Sequence, residues 1–206
     1  MSNHARRTSA ILQEIIDSAD KDGTISLGEF MKLLGDRTFC LAILVFSLPN
    51  SLPVPGIPGF STITGLPIIF IAMQLLAGRS SIWLPKKVAQ KTFTRRSAAK
   101  MLSKALPAVK WLEKFLRPRL VFVTSPFGER LLGALFIILS GIIILPIPGG
   151  NFLPGLSMSL IALGMLSRDG LFVLSAIAFS IASVVFMIEI IRLFFEAVIS
   201  AFHSIF

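Results

Sequence analysis

The chain has 206 residues, of which 54% are apolar and only 15% charged, with a mean hydropathy of +0.81. Soluble domains carry roughly 25% charged residues, so this balance excludes an ordinary water-soluble protein and points to an integral membrane one. The net charge of +9 raises nucleic acid as a partner. Its confinement beside long uncharged tracts argues instead for a membrane-facing cationic segment and against nucleic acid.

Residues 1–37 are polar overall and read as a small helical cap. No short apolar core precedes a cleavage site there, so a signal peptide is not expected. Thr8 and Ser9 are placed to cap a first helix whose apolar stripe is Ile11, Leu12, Ile15, Ile16 and Ala19. A second helix is signalled by a Ser26/Glu29 capping box, an Ile25/Phe30 staple and Gly35 as its stop. Between them, residues 18–29 nearly spell a calcium loop, with Asp20, Asp22 and Glu29 at ligand positions and Gly23 at the turn. Ser18 stands where that loop needs its first acid, and no second loop exists to pair with it. A polar turn followed by a capping box accounts for the same residues, and no metal is expected.

The next segment, residues 38–79, is charge-free until Arg79. Residues 39–48 are too short for a span that needs about 20 helical residues. The tract breaks across 49–59 and resumes over 61–77, with Pro67 inside, which predicts a helical hairpin, re-entrant or fully crossing. Cys40 sits in this tract as a buried bystander, and with no second cysteine there is no internal disulfide.

Residues 80–130 form a basic connector, in which lysines and arginines from Lys86 to Arg130 face only Glu113 and Glu129. By the positive-inside rule it lies in the cytoplasm. Val88, Thr92, Ala99, Leu102, Leu106, Val109 and Leu116 recur at helical spacing. With the cations opposite, they predict either helices lying along the membrane surface, interrupted at Pro107 and ended by Pro118, or a folded loop with a solvated basic face.

A second charge-free segment, residues 131–168, runs as a helix to Leu145, breaks at 146–155 and resumes to Leu166 before Arg168. The last segment, residues 169–206, opens with eighteen uncharged residues, 171–188, the cleanest single span. Its end, 190–206, is open between an interfacial helix and a final span.

The two tracts repeat one pattern. Leu52-Pro53-Val54-Pro55-Gly56, Pro58-Gly59-Phe60-Ser61 and Ile71-Ala72, closing on Arg79, answer Leu145-Pro146-Ile147-Pro148-Gly149, Pro154-Gly155-Leu156-Ser157 and Ile161-Ala162, closing on Arg168. Proline and glycine at membrane depth are tolerated only where protein or a water-filled cavity satisfies the freed amides. Paired broken segments in corresponding halves point to a central binding site. The fold class expected is therefore an all-α membrane protein, a pseudo-repeat of two broken hairpins with a further transmembrane helix and an N-terminal cap.

No nucleophile–base pair, phosphate loop or metal-ligand spacing occurs, and His4 and His203 lie near opposite ends. Enzymatic activity and a cofactor are not expected. Polar groups in and beside the tracts are costly in lipid and so are candidate substrate contacts: Asn50, Ser61, Gln74, Asn151, Ser157 and Asp169, with Arg79 and Arg168 as grips for an anionic headgroup.

Arg7-Thr8-Ser9, Ile25-Ser26-Leu27-Gly28-Glu29, Leu48-Pro49-Asn50 with Pro53-Val54-Pro55-Gly56, and Gln74-Leu75-Leu76-Ala77-Gly78-Arg79 with Trp83-Leu84-Pro85 form a specific set. Arg117-Pro118-Arg119, Leu145-Pro146-Ile147-Pro148, Asn151, Pro154 and Arg168-Asp169-Gly170 complete it. On these residues the chain resembles the ExoD-like exopolysaccharide-synthesis family of bacterial inner-membrane proteins. The resemblance implies a multi-pass inner-membrane protein concerned with making or exporting extracellular polysaccharide, and a link to alkaline tolerance. It carries over no catalytic residues. The function expected is translocation or presentation of an anionic lipid-linked phosphate of the polyprenyl-phosphate type. The alternatives are a non-transporting scaffold for polysaccharide-synthesis proteins and a proton- or cation-coupled transporter. Membrane lipids are the first partners, and assembly as a homo-oligomer is left open.

Overall fold

The computed structural model describes residues 8–17, 23–52, 60–145 and 150–205. Helix α1 (Thr8–Asp17), strand β1 (Thr24–Ser26) and α2 (Leu27–Leu34) come from the N-terminal stretch. The first uncharged tract forms α3 (Arg37–Ser47), extended by a 3-10 turn over Leu48–Ser51, and α4 (Phe60–Leu76). The connector gives α5 (Lys86–Ala89), β2 (Thr92–Thr94), α6 (Arg95–Phe115) and a 3-10 turn over Val121–Thr124. Then follow α7 (Pro126–Ile144), α8 (Phe152–Ser167) and the long α9 (Gly170–Ile205). The proline breaks at 53–59 and 146–149, the calcium-like acids Asp20 and Asp22, Ala19 and His4 lie outside the described residues.

The chain is mostly helical, as expected, with one departure from all-α. Strands β1 and β2 pair antiparallel, Thr24 opposite Thr94, Ile25 opposite Phe93 and Ser26 opposite Thr92. Each strand feeds a helix through a hydroxyl cap. Ser26 accepts from the Glu29 N–H while Glu29 accepts from the Ser26 N–H, the capping box read from sequence. Thr94 does the same for the Ser97 N–H at 3.3 Å. Gly35 then ends α2 with a positive φ of 58°.

This pairing joins the N-terminal stretch to the connector. The buried stripe of α6, Ala98, Leu102, Leu106 and Val109, packs against α1 through Leu12, Ile15 and Ile16 and against Leu34. The apolar face expected on the membrane surface is therefore covered by protein, because α1 supplies a matching stripe. Helix α6 also runs through Pro107 without ending. Thr8 and Ser9 do not use their hydroxyls as helix caps: Thr8 donates to the Leu166 carbonyl and Ser9 to the Glu113 carboxylate.

The four tract helices form one bundle in which α3 packs on α8 and α4 on α7. Ile43, Ile68, Phe136, Leu139, Ile143, Met158 and Ile161 fill its centre with no exposure to solvent. Helices α4 and α7 approach closely because Gly133 lies against the backbone of Ala72 and Leu76, where even a Cβ would sit 2.7 Å from the Leu76 nitrogen. Small residues permit this contact between apolar helices. Among the described residues two helices are long and apolar enough to cross a membrane, Pro126–Ile144 at mean hydropathy 2.0 and Gly170–Leu193 at 2.6. The end of the chain continues α9 as helix, and Arg192 pairs with Glu196 at 3.0 Å on its exposed surface.

Candidate functional site

Both tract hairpins begin and end at the same end of the bundle. There, the starts of α3 and α7, the ends of α4 and α8, and the turn at Val121–Thr124 enclose a cavity of about 610 Å³. Its apolar floor includes Phe39 and Leu75, and its charged wall holds Asp36, Arg79, Glu129 and Arg168. Local structure explains the placement. Asp36 stands at the N-cap position of α3, without a side-chain cap hydrogen bond, and Glu129 sits in the first turn of α7, where helix dipoles favour anions. Arg168 closes α8 in the left-handed region, φ 54°, and Arg79 follows the end of α4, where cations are favoured.

The charges interact across the cavity. Glu129 lies within electrostatic reach of Asp36 and Arg168, and Arg37 within reach of Arg168, Glu113 and Asp36. The Arg130 guanidinium rests against Gly78, where a Cβ would lie 2.5 Å from two of its nitrogens, and Gly78 itself holds a positive φ of 72°. Glycine is required there both for the backbone and for the arginine.

The expected substrate contacts divide between places. Arg79 and Arg168 meet in the cavity. Gln74 is next to it but its amide is committed to the chain: Oε1 accepts from the Trp83 N–H at 2.6 Å and Nε2 donates to the Trp83 and Phe70 carbonyls. Asp169 is likewise occupied, accepting from the Arg117 N–H at 3.0 Å and the Phe172 N–H at 3.1 Å. Ser157 is fully buried and donates to the Leu153 carbonyl.

Asn50, Ser61 and Asn151 lie at the opposite end, beside the breaks, about 25 Å away along the 17 residues of α4. Asn50 Nδ2 donates to Thr64 and to the Phe46 carbonyl, each at 2.9 Å, and Asn151 donates to Ser61. Ser159 ties α8 to the first hairpin, 2.8 Å from Ser47 and 2.9 Å from Ser51. These contacts join the two hairpin tips, and the apolar bundle centre separates them from the cavity. Among the described residues no group of three or more His, Cys, Asp or Glu is placed to hold a metal ion.

Sequence reasoning missed Asp36 and Glu129. The signal was present: Gly35-Asp36-Arg37 and Gly128-Glu129-Arg130 stand just before the two charge-free tracts, as Arg79 and Arg168 stand just after them.

The family model described as exopolysaccharide synthesis, ExoD, matches residues 8–189, a span that includes every element of the cavity. The chain belongs to the ExoD family. Among relatives of this ExoD-family chain is Protein ExoD of Rhizobium meliloti, 33% identical over 81% of this chain and 70% of the relative. Another, an uncharacterized protein of Synechocystis, is 33% identical over 92% of this chain and 90% of its own length. No solved structure matches the ExoD-family chain. Membership associates it with exopolysaccharide synthesis, and its two long apolar helices accord with a membrane protein.

Proposed function

We propose that this protein binds the phosphate headgroup of an anionic lipid-linked intermediate and presents it for exopolysaccharide assembly, from within the bacterial inner membrane. The observation that carries this reading is the meeting of Arg79 and Arg168 in one cavity at the end of the bundle where the basic connector attaches. Guanidinium groups bind phosphate oxygens bidentately, and they hold their charge in a partly dehydrated site. The apolar floor of Phe39 and Leu75 suits the first carbons of a lipid chain. Family membership supplies the pathway.

A membrane setting is supported by outward-facing apolar side chains such as Ile63, Ile138, Ile181 and Val185. Exposed Phe122, which lines the cavity, and exposed Trp83, Trp111 and Phe127 suit a headgroup region. On this reading the connector faces the cytoplasm. The packed bundle centre favours presentation over passage: transfer to the other face would require α3–α8 and α4–α7 to part. The protein acts here as a binding and positioning device, not as an enzyme.

The test is reconstitution in liposomes with a fluorescent polyprenyl phosphate. Protein-dependent protection or exposure of the label, lost in the double variant Arg79→Ala/Arg168→Ala, is the expected result. Equal behaviour of protein-containing and empty vesicles, with polysaccharide output retained by that variant in cells, overturns the proposal.

A further inference from the structure

The likeness between the two halves of the chain extends well outside the proline breaks. A single spacing along the sequence carries Gly35 onto Gly128, Asp36 onto Glu129, Arg37 onto Arg130, Ser47 onto Ser140 and Pro53 onto Pro146. A second spacing, in the cap, carries Gly23 onto Lys91, Ser26 onto Thr94, Leu27 onto Arg95 and Glu29 onto Ser97. The spacings differ because α6 has 21 residues where α2 has 8 and because the chain between α6 and Arg130 is longer than that between α2 and Arg37.

The contacts obey the same exchange. The Leu27 N–H donates to the Lys91 carbonyl at 2.9 Å, and its counterpart, the Arg95 N–H, donates to the Gly23 carbonyl at 3.0 Å. The strand register maps onto itself, with Ile25 opposite Phe93 at its centre. Helix α1 packs on α6 as α5 packs on α2, and α3 packs on α8 as α7 packs on α4. Ser47 and Ser140 are both fully buried. The hairpin tips lie together at one end, as Asn151 bonded to Ser61 requires. An axis across the bundle would send the tips to opposite ends, so an axis relating the halves runs lengthwise.

We infer that the part of the chain before α9 is two fused copies of one unit about a lengthwise pseudo-two-fold axis, and that the charged wall of the cavity is one phosphate site to which both copies contribute. Each copy gives the cavity wall an acid and the arginine that ends its hairpin, Asp36 and Arg79 from one, Glu129 and Arg168 from the other; the arginines that follow the acids stand beside it, Arg37 within electrostatic reach of Arg168 and Arg130 against the lining residue Gly78. In and beside the cavity the arginines outnumber the carboxylates, which are Asp36, Glu129 and, within reach of Arg37, Glu113. That excess of cationic groups favours an anionic phosphate group, a monoester or a diphosphate, and opposes a metal cation. The two wall carboxylates, Asp36 and Glu129, repel the ligand and limit its affinity, which suits a site that must let its ligand go. This inference rests on the anion-binding reading above and adds the participation of the acids and the equivalence of the halves.

The experiment is calorimetric titration of the full-length protein in detergent with inorganic pyrophosphate, and separately with dodecyl phosphate as the lipid probe. Arg79→Gln and Arg168→Gln are each expected to weaken pyrophosphate binding by about tenfold or more, by factors that agree within about threefold. Asp36→Asn is expected to tighten it by about tenfold, since it removes one like charge from the site, and Glu129→Gln to tighten it by a smaller factor. Where a glutamine variant fails to fold, Arg79→Lys and Arg168→Lys keep the charge, and equal, smaller losses are expected. Dependence on one half alone, or acid variants that weaken binding, overturns the two-fold site. Binding of dodecyl phosphate that depends on Arg168 alone leaves the lipid reading standing and removes this one. Symmetric binding of pyrophosphate without binding of dodecyl phosphate upholds this site and overturns the lipid reading. No binding of either probe overturns both.

Discussion

Two glycines on α7 allow the bundle packing to be tested with one substitution made twice. Gly133 faces α4, and a Cβ there would meet the Leu76 nitrogen at 2.7 Å, the Ala72 carbonyl oxygen at 3.0 Å and the Leu76 Cα at 3.1 Å. All three are backbone atoms of a helix, so no side-chain rotation relieves the contact. Gly141, on the exposed side of the same helix, has nothing within 4 Å of its would-be Cβ. Exchanging glycine for alanine inside a helix gains roughly 0.5–1 kcal/mol from backbone entropy at either position. That gain cancels in the comparison, leaving the clash as the difference. Forcing a methyl into a packed contact costs about 1–3 kcal/mol.

For a chain of this size each kcal/mol moves the midpoint by roughly 2–4 °C. Gly133→Ala is therefore expected to melt about 2–12 °C below Gly141→Ala in the same detergent, with Gly141→Ala at or above wild type. Thermal denaturation followed by helical circular dichroism reads this directly. Equal midpoints for the two variants would show that α4 and α7 do not approach through Gly133. The α4–α7 half of the bundle, and with it the wall of the cavity at Gly78 and Arg130, would then be wrong.

Two further outcomes concern the cap. The Glu113 carboxylate accepts from both the N–H (2.9 Å) and the hydroxyl (2.5 Å) of Ser9 and so fastens α1 to α6; Glu113→Ala should loosen α1 by about 1–2 kcal/mol after allowing for partial exposure, seen as roughly tenfold faster proteolysis at the N-terminus, and an unchanged rate would mean that the latch contributes nothing. Glu29 is held below its ordinary value of 4.5, first by the Ser26 backbone N–H and then by the Ser26 side chain. A depressed carboxylate stabilises the fold above its unfolded value and loses that contribution as pH falls through the folded value. Hydrogen-exchange protection at the start of α2 should therefore decline below about pH 4.5 in wild type and show no such step in Glu29→Ala.

Much of the fold was legible because it depends on local rules. Charge-free tracts bounded by proline and glycine gave the four bundle helices, and Ser26 with Glu29 gave the start of α2, because capping is decided within one turn. The strands were not legible. Each has three residues, and what makes them strands is a partner far along the chain, which no local preference reports. Of the apolar stripe read for the connector, Leu102, Leu106 and Val109 are buried on α6, while Val88 lies exposed on α5 and Thr92 in β2; a stripe does not say whether it meets lipid or protein, and α1 decided that.

The candidate site divides along the same line. Gln74, Ser157 and Asp169 drew notice as polar groups inside or beside apolar sequence, yet each is committed to backbone groups of its own chain. In a dehydrated setting the first demand on a polar side chain is to satisfy nearby amides and carbonyls, so polarity within a tract says little about a ligand. Charges at the tract borders answer to a different constraint. One charged residue at a border can be placed merely to stop a helix. Four borders that each carry a charge, acids where α3 and α7 begin and arginines where α4 and α8 end, are more than helix stops when the fold turns all four toward a single cavity. The downstream pair, Arg79 and Arg168, was legible because it closed a repeated phrase; the upstream pair, Asp36 and Glu129, stands in the same Gly-acid-Arg setting but outside the charge-free tracts, and the packing of the helix starts shows that this matched pair faces the same cavity.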